Sequence, residues 1–244
     1  MERYIYTAMS GALYTLGAQR IQANNLANSG TGGFRADFAR AETHRVEGPG
    51  FATRFLSMQQ VAGSNFAGGR LEATGRKLDV ALQGPGFLAV EAAGGEAYTR
   101  AGHLELDAAG MLTVNGRPVL GEDGPLQLPE FRDITIGEDG TITLLPAEGN
   151  DQLEAGRIKL VNPPLADLRK GDDGLFHLLD GAAEELPLDE QVRLASGYLE
   201  GSNVSAVDAM IDTLALSRNF EMQVRMMKTA DELSAAGSRL VRGA

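Results

Sequence analysis

Apolar and small residues recur near the N-terminus at Ile5, Met9, Ala12, Leu16, Ala23 and Leu26, with Gln19 interrupting the set. Steps of three and four gather such residues on one stripe of a helix. The spacing predicts a helix over residues 2–28, roughly 40 Å long at 1.5 Å per residue. At the other end Val204, Val207, Ile211 and Leu214 repeat in the same way. There the register slips near Arg218-Asn219, as at a coiled-coil stutter, and resumes at Phe220, Val224 and Met227. Asn203 or Ser205 supplies the N-cap. Both stripes are narrow and rich in small residues, which suits close helix–helix contact better than a broad core. No third helical pattern is available, so the ends are expected to pack on each other, on copies of themselves, or on both.

Between the helices the period changes from 3.6 to 2. Residues 36–76 carry few strong patterns; Phe51 to Val61 reads as an extended segment within a loose connector. From Leu78 onward short apolar runs alternate with glycine-rich turns, a meander of hairpins. Residues 104–114 (LELDAAGMLTV) and 134–144 (ITIGEDGTITL) align without gaps, each an alternating hairpin around a turn ending in glycine. Two copies are too few for a solenoid and predict equivalent hairpins in one barrel or sandwich. Residues 181–191 form an acidic loop, and Val192 to Leu199 a last strand. The expected fold class is therefore α+β: long N- and C-terminal helices forming a coiled-coil-like helical domain, and a central all-β, barrel- or sandwich-like domain. The expected division is 1–35 with 200–244 as the helical domain, 36–76 as connector and 77–199 as the β-domain.

Composition removes several function classes. A net charge of −11 opposes nonspecific nucleic-acid binding, which needs a positive field. Without cysteine there are no disulfides and no thiolate metal sites. Without tryptophan a sugar cleft or base-stacking platform is disfavoured. His44, His103 and His177 lie in unrelated contexts, and the Asp-Gly turns lack the alternating ligands of a calcium loop. No phosphate loop, dinucleotide fingerprint or nucleophile elbow is present. We therefore assign no catalytic, cofactor-binding or metal-binding residue and expect no enzyme. No run of about 18 apolar residues suggests membrane insertion. Thr7, Ser10 and Gly11 interrupt any signal-peptide core, so the chain is expected to stay in the cytoplasm or to leave by a route that needs no cleaved signal.

The run Asn24-Asn25-Leu26-Ala27-Asn28, followed by Thr31 and Gly33-Phe34-Arg35, resembles the N-terminal signature of the flagellar axial proteins, the rod and hook subunits of bacterial flagella. Ala23 and Gly32 depart from residues common in that family. Leu78–Leu82, Gly86–Val90 and Tyr98-Thr99-Arg100 are similar to the family's β-domain. Leu199–Val204 and Arg218-x-Phe220-Glu221-Met222-Gln223 are similar to its C-terminal helix. Overall length and connector match its proximal-rod branch best, with the distal-rod or hook-type branch as the alternative. A secreted β-rich glycan-binding or hydrolytic protein and a coiled-coil adapter are the readings of other classes. The resemblance implies a structural subunit whose terminal helices stack with those of neighbours as the inner tube of a rod. Its implied partners are other rod proteins, copies of itself and the type III export apparatus. It makes Asn24–Arg35 the joint between helix and outer domain. Ile5, Met9, Leu16, Ala23, Val207, Ile211, Leu214, Phe220, Glu221 and Val224 become the helix–helix assembly positions.

Overall fold

A computed structural model describes residues 2–45, 55–147, 149, 151–179 and 185–243. The chain forms two compact units, and both are discontinuous in sequence. One holds Met1–Ser29, Ala36–Asn65 and Val204–Ala244; the other holds Gly30–Arg35 and Phe66–Asn203.

The first unit pairs helix α1 (Glu2–Ala27) with helix α2 (Ala206–Arg242) and adds a hairpin, β1 (Asp37–Arg45) with β2 (Phe55–Ser64). Residues 51–54, where the extended segment was expected to begin, lie outside the described residues, as do residues 181–184 of the acidic loop. Ser205 is the N-cap of α2, its side chain accepting from the Asp208 N–H. The helices run antiparallel: Gln22 Nε2 donates to Asp212 Oδ2 at 3.3 Å, while Gln223 lies against Gly11 and Thr15. On this stagger the C-terminal turns of α2 run on past the start of α1, and Leu233 and Leu240 there are exposed.

The shielded positions of α2 include Ala209, Thr213, Leu216, Phe220, Gln223, Met227 and Ala230, an unbroken alternation of four and three, flanked by half-buried Ala206, Ser217, Val224 and Gly237. The slip read near Arg218-Asn219 is therefore no stutter. Val207, Ile211 and Leu214 belong to an outward face, being 66%, 57% and 62% exposed, while Phe220, Val224 and Met227 turn toward the shielded side. On α1 Ala8, Ala12, Thr15, Ala18 and Asn25 are buried and Ile5, Gly11, Tyr14, Ile21, Gln22 and Leu26 are half-buried, while Met9, Leu13 and Leu16 stay exposed. Small and polar residues make the contacts between the helices at Gly11, Thr15 and Gln223 and at Gln22 and Asp212, and several large apolar side chains remain exposed.

Among the described residues the regular structure of the second unit is strand apart from one short 3-10 turn, Leu165–Asp167. Its largest sheet has five strands in the order Leu160–Val161, Phe87–Ala92, Gly95–Thr99, Phe176–Leu178 and Leu168–Lys170. Two three-stranded sheets hold Leu104–Leu106, Leu112–Val114 and Arg117–Pro118, and Phe131–Ile136, Thr141–Pro146 and Leu153–Arg157. Val80–Gln83 pairs with Arg193–Ser196, and Leu71–Ala73 with Tyr198–Glu200. This corrects the expected fold class. The terminal helices are present, but the centre is a set of small open sheets and no closed barrel forms. The helical unit also carries a β-hairpin of its own. Strands of two to six residues end at glycine turns before a continuous ladder can close.

The two repeated segments fold alike. Leu104 pairs with Val114 and Leu106 with Leu112; Ile134 pairs with Leu144 and Ile136 with Ile142. Each turn ends on a glycine at positive φ, Gly110 and Gly140. Their inward residues join one core with Val80, Leu88, Ile158, Leu160 and Leu194. A second cluster gathers Phe87, Tyr98 and Phe176, with Phe66 packed against it.

Candidate functional site

Glu200 is the residue on which the β-unit converges. Its strand pairs with Leu71–Ala73, and its side chain is 2% exposed. Carboxylate Oε1 accepts from Arg35 Nη2 at 2.6 Å and from the Gly69 N–H at 2.7 Å. Oε2 accepts from Arg100 Nε at 2.8 Å. Its backbone carbonyl accepts from the Gly33 N–H at 2.7 Å. One residue thereby ties together four segments: 33–35, the turn at 69, the strand end at 100 and its own strand.

The electrostatics follow from burial. Desolvation pushes the Glu200 carboxyl up, but the Arg100 charge, the Gly69 N–H and the bonds from Arg100 and Arg35 outweigh it and hold it below the usual glutamate value. Burial pushes the Arg35 guanidinium down, only partly offset by Glu200. Arg35 Nε and Nη1 have no partner among the described residues. Arg100 is better satisfied, donating also to the carbonyls of Gly86 and Gly84 at 2.7 and 3.0 Å. Two buried cations therefore depend on one carboxylate.

Local sequence makes this packing possible. Gly33 has φ +71°, and a Cβ there would lie 2.3 Å from the Arg100 carbonyl carbon. Only glycine meets both the conformation and the approach. A Cβ on Gly69 would lie 2.0 Å from Gly201 O. Lys170 covers the outer side of the same stretch, its Nζ 3.7 Å from the Phe34 ring centroid and 2.8 Å from Arg35 O. Asn203 closes the exit, its N–H donating to Phe34 O and Nδ2 to Ala67 O.

In the helical unit Asn25, 3% exposed, uses both ends of its amide on one backbone residue. Its Nδ2 donates to Asp37 O at 2.7 Å and its Oδ1 accepts from the Asp37 N–H at 2.9 Å. The start of β1 is thereby bonded to α1. Asn28 donates from both its backbone and its side chain to Asn24 O and closes the last turn of α1.

The remaining predicted positions divide. Leu26, Phe34, Ile5, Phe220 and Val224 are half-buried; Asn24, Ala27, Thr31, Met9, Leu16, Ala23 and Glu221 are exposed. The outward Val207, Ile211 and Leu214 do not meet α1 as a seam would. Sequence reasoning quoted the motifs holding Arg35, Arg100 and Glu200 separately and did not join them; Lys170, Gly69 and Thr15 it missed. A charged residue in each of three separated motifs was the available signal.

Among the described residues no three His, Asp or Glu side chains gather to hold a metal, and no helix is long and apolar enough to cross a membrane. His103 pairs with Asp79 at 2.9 Å and His177 with Asp173 at 3.1 Å, both at the surface. A cavity of about 500 Å³ lies beside the ion cluster. Arg35, Arg100 and Glu200 are among the residues that line it, and the Arg35 and Glu200 side chains are 0% and 2% exposed.

Residues 81–144 match the family described as flagellar hook protein FlgE/F/G D1 domain, and residues 195–240 that described as flagellar basal body rod FlgEFG protein C-terminal. The chain is 43% identical to the flagellar basal-body rod protein FlgF of Salmonella typhimurium, over 99% of each chain. Identity to FlgF of Escherichia coli is likewise 43% over 99% of each. The flagellar basal-body rod protein FlgG of Bacillus subtilis is 30% identical over 96% of this chain and 97% of its own.

Proposed function

This chain belongs to the FlgF family of flagellar basal-body rod proteins, and from that membership we propose that it polymerises through its paired terminal helices as a subunit of the proximal rod. It is an axial structural subunit of the flagellar basal body, and it assembles with other rod proteins. The observation that carries the mode of assembly is the outward face of the helix pair. Val207, Ile211 and Leu214 on α2 and Leu13 and Leu16 on α1 present large apolar side chains that are 41–66% exposed. Burying each such residue against a neighbour contributes roughly 1.5–3 kcal/mol, so several per subunit offset the cost of ordering and association.

Within this reading the chain leaves the cell through the flagellar type III export apparatus without a cleaved signal and takes its place in the periplasm-spanning rod. The ion cluster around Glu200 anchors, inside the β-unit, Arg35 and Glu200, which lie close in sequence to two of the four points where the chain passes between units. The rod reading is tested by purifying hook–basal bodies from the source organism and identifying their proteins by mass spectrometry. The chain is expected in that particle together with other rod proteins. Its absence from intact hook–basal bodies would overturn the assignment to the rod.

A further inference from the structure

Among the shielded positions of α2 there is one long polar side chain, Gln223, between Phe220 and Met227. It lies over Gly11 of α1. A Cβ on Gly11 would stand 2.9 Å from Gln223 Nε2 and 3.3 Å from Cδ, so the missing side chain is the notch that receives the amide. Thr15, one turn on and 3% exposed, completes the seat. Its hydroxyl donates to Gly11 O at 2.9 Å and lies 3.3 Å from Gln223 Oε1. The pair Gln22–Asp212 falls on the same antiparallel stagger.

We propose that Gln223, with Gly11 and Thr15, is the register key of the helix pair. Ala8, Ala12 and Ala18 give α1 a low, even relief, and the apolar residues of α2 would slide along it by a turn with little penalty. The half-buried Gln223 amide would not, because it fits the notch and reaches the hydroxyl at one stagger only; single polar residues in helix seams set register in this way. The stagger in turn fixes where Val207, Ile211 and Leu214 stand along the axis relative to Leu13 and Leu16. The key thus sets the shape of the face offered to the next subunit.

The chain has no cysteine, so Arg20→Cys with Asp231→Cys allows two nitroxide labels on the exposed sides of the isolated full-length chain. Their axial separation is roughly 26 Å at 1.5 Å per residue. One sharp distance is expected with Gln223 in place. Gln223→Met, of equal length without the amide, and Thr15→Val should move or split that distance by about one helical pitch, ~5 Å. Thr15→Ser, which keeps the hydroxyl, should leave it sharp. An unmoved distance in Gln223→Met, or loss of pairing in every variant including Thr15→Ser, would overturn the proposal. The consequence for assembly rests on the rod reading and is read separately, as swimming of cells carrying Gln223→Met. The label distance does not depend on that reading, so the two fail independently.

Discussion

Replacing Glu200 by leucine is expected to destabilise the β-unit by about 3–5 kcal/mol, the usual cost of removing one partner from a buried ion pair. The substitution leaves Arg35 and Arg100 buried without their shared carboxylate. Two nitrogens of Arg35 already lack partners, so no alternative acceptor stands ready. Thermal melts of the full chain should show a fall on the order of 10 °C at neutral pH. The pH dependence gives a second readout. The folded-state value of Glu200 is depressed, so its contribution is fully present above the unfolded glutamate value of about 4.3. It is lost as the pH drops through the lower folded value. The leucine variant should lose that part of the acid slope while the other carboxylates retain theirs. A variant that melts like the wild type and keeps the whole acid slope would mean that the triad is not what ties the four segments.

Leu214→Asp should act in the opposite way, harmless to the isolated chain and severe in the cell. Leu214 is 62% exposed, so the change should alter stability by no more than about 0.5 kcal/mol, as is usual for surface sites. In an assembled rod the same carboxylate would be buried against a neighbour without a partner, which costs several kcal/mol. Cells relying on this variant are expected not to swim, while the purified protein melts as the wild type does. Normal swimming would place the polymerising surface elsewhere on the chain.

Both helices were legible in the sequence because three- and four-residue periodicity survives over many turns, and the repeated hairpins because glycine and alternation mark register locally. The facing of the helices was not legible. Val207, Ile211 and Leu214 were read as helix–helix assembly positions, with the pairing of the ends on each other or on copies of themselves left open, because an apolar stripe does not name its partner. In this chain Ala8, Gly11, Thr15 and Ala18 are shielded on α1, while Met9, Leu13 and Leu16 there and Val207, Ile211 and Leu214 on α2 face out. The rule that apolar stripes turn inward assumes a chain that completes its own core. Helices with a large uncovered face follow a different logic, and composition along one stripe cannot reveal which partner it meets. The barrel or sandwich was over-read for a related reason: alternation fixes which face of a strand is buried but says nothing about how far a ladder extends. Lastly, Arg35, Arg100 and Glu200 lie 65 and 100 residues apart, and no local pattern signals that three such charges share one buried site.

Site-specific photocrosslinking in assembled basal bodies tests the central claim most directly. A photoreactive residue at Leu214, on the outward face, is expected to capture a second rod subunit, giving a band of at least twice the 25.8 kDa of this chain. The same residue at Phe220, on the shielded side, should yield adducts within the chain alone. Intersubunit adducts from position 220 with none from 214 would contradict the account, because they would mean that the helices meet their neighbours through the seam and not through the uncovered face.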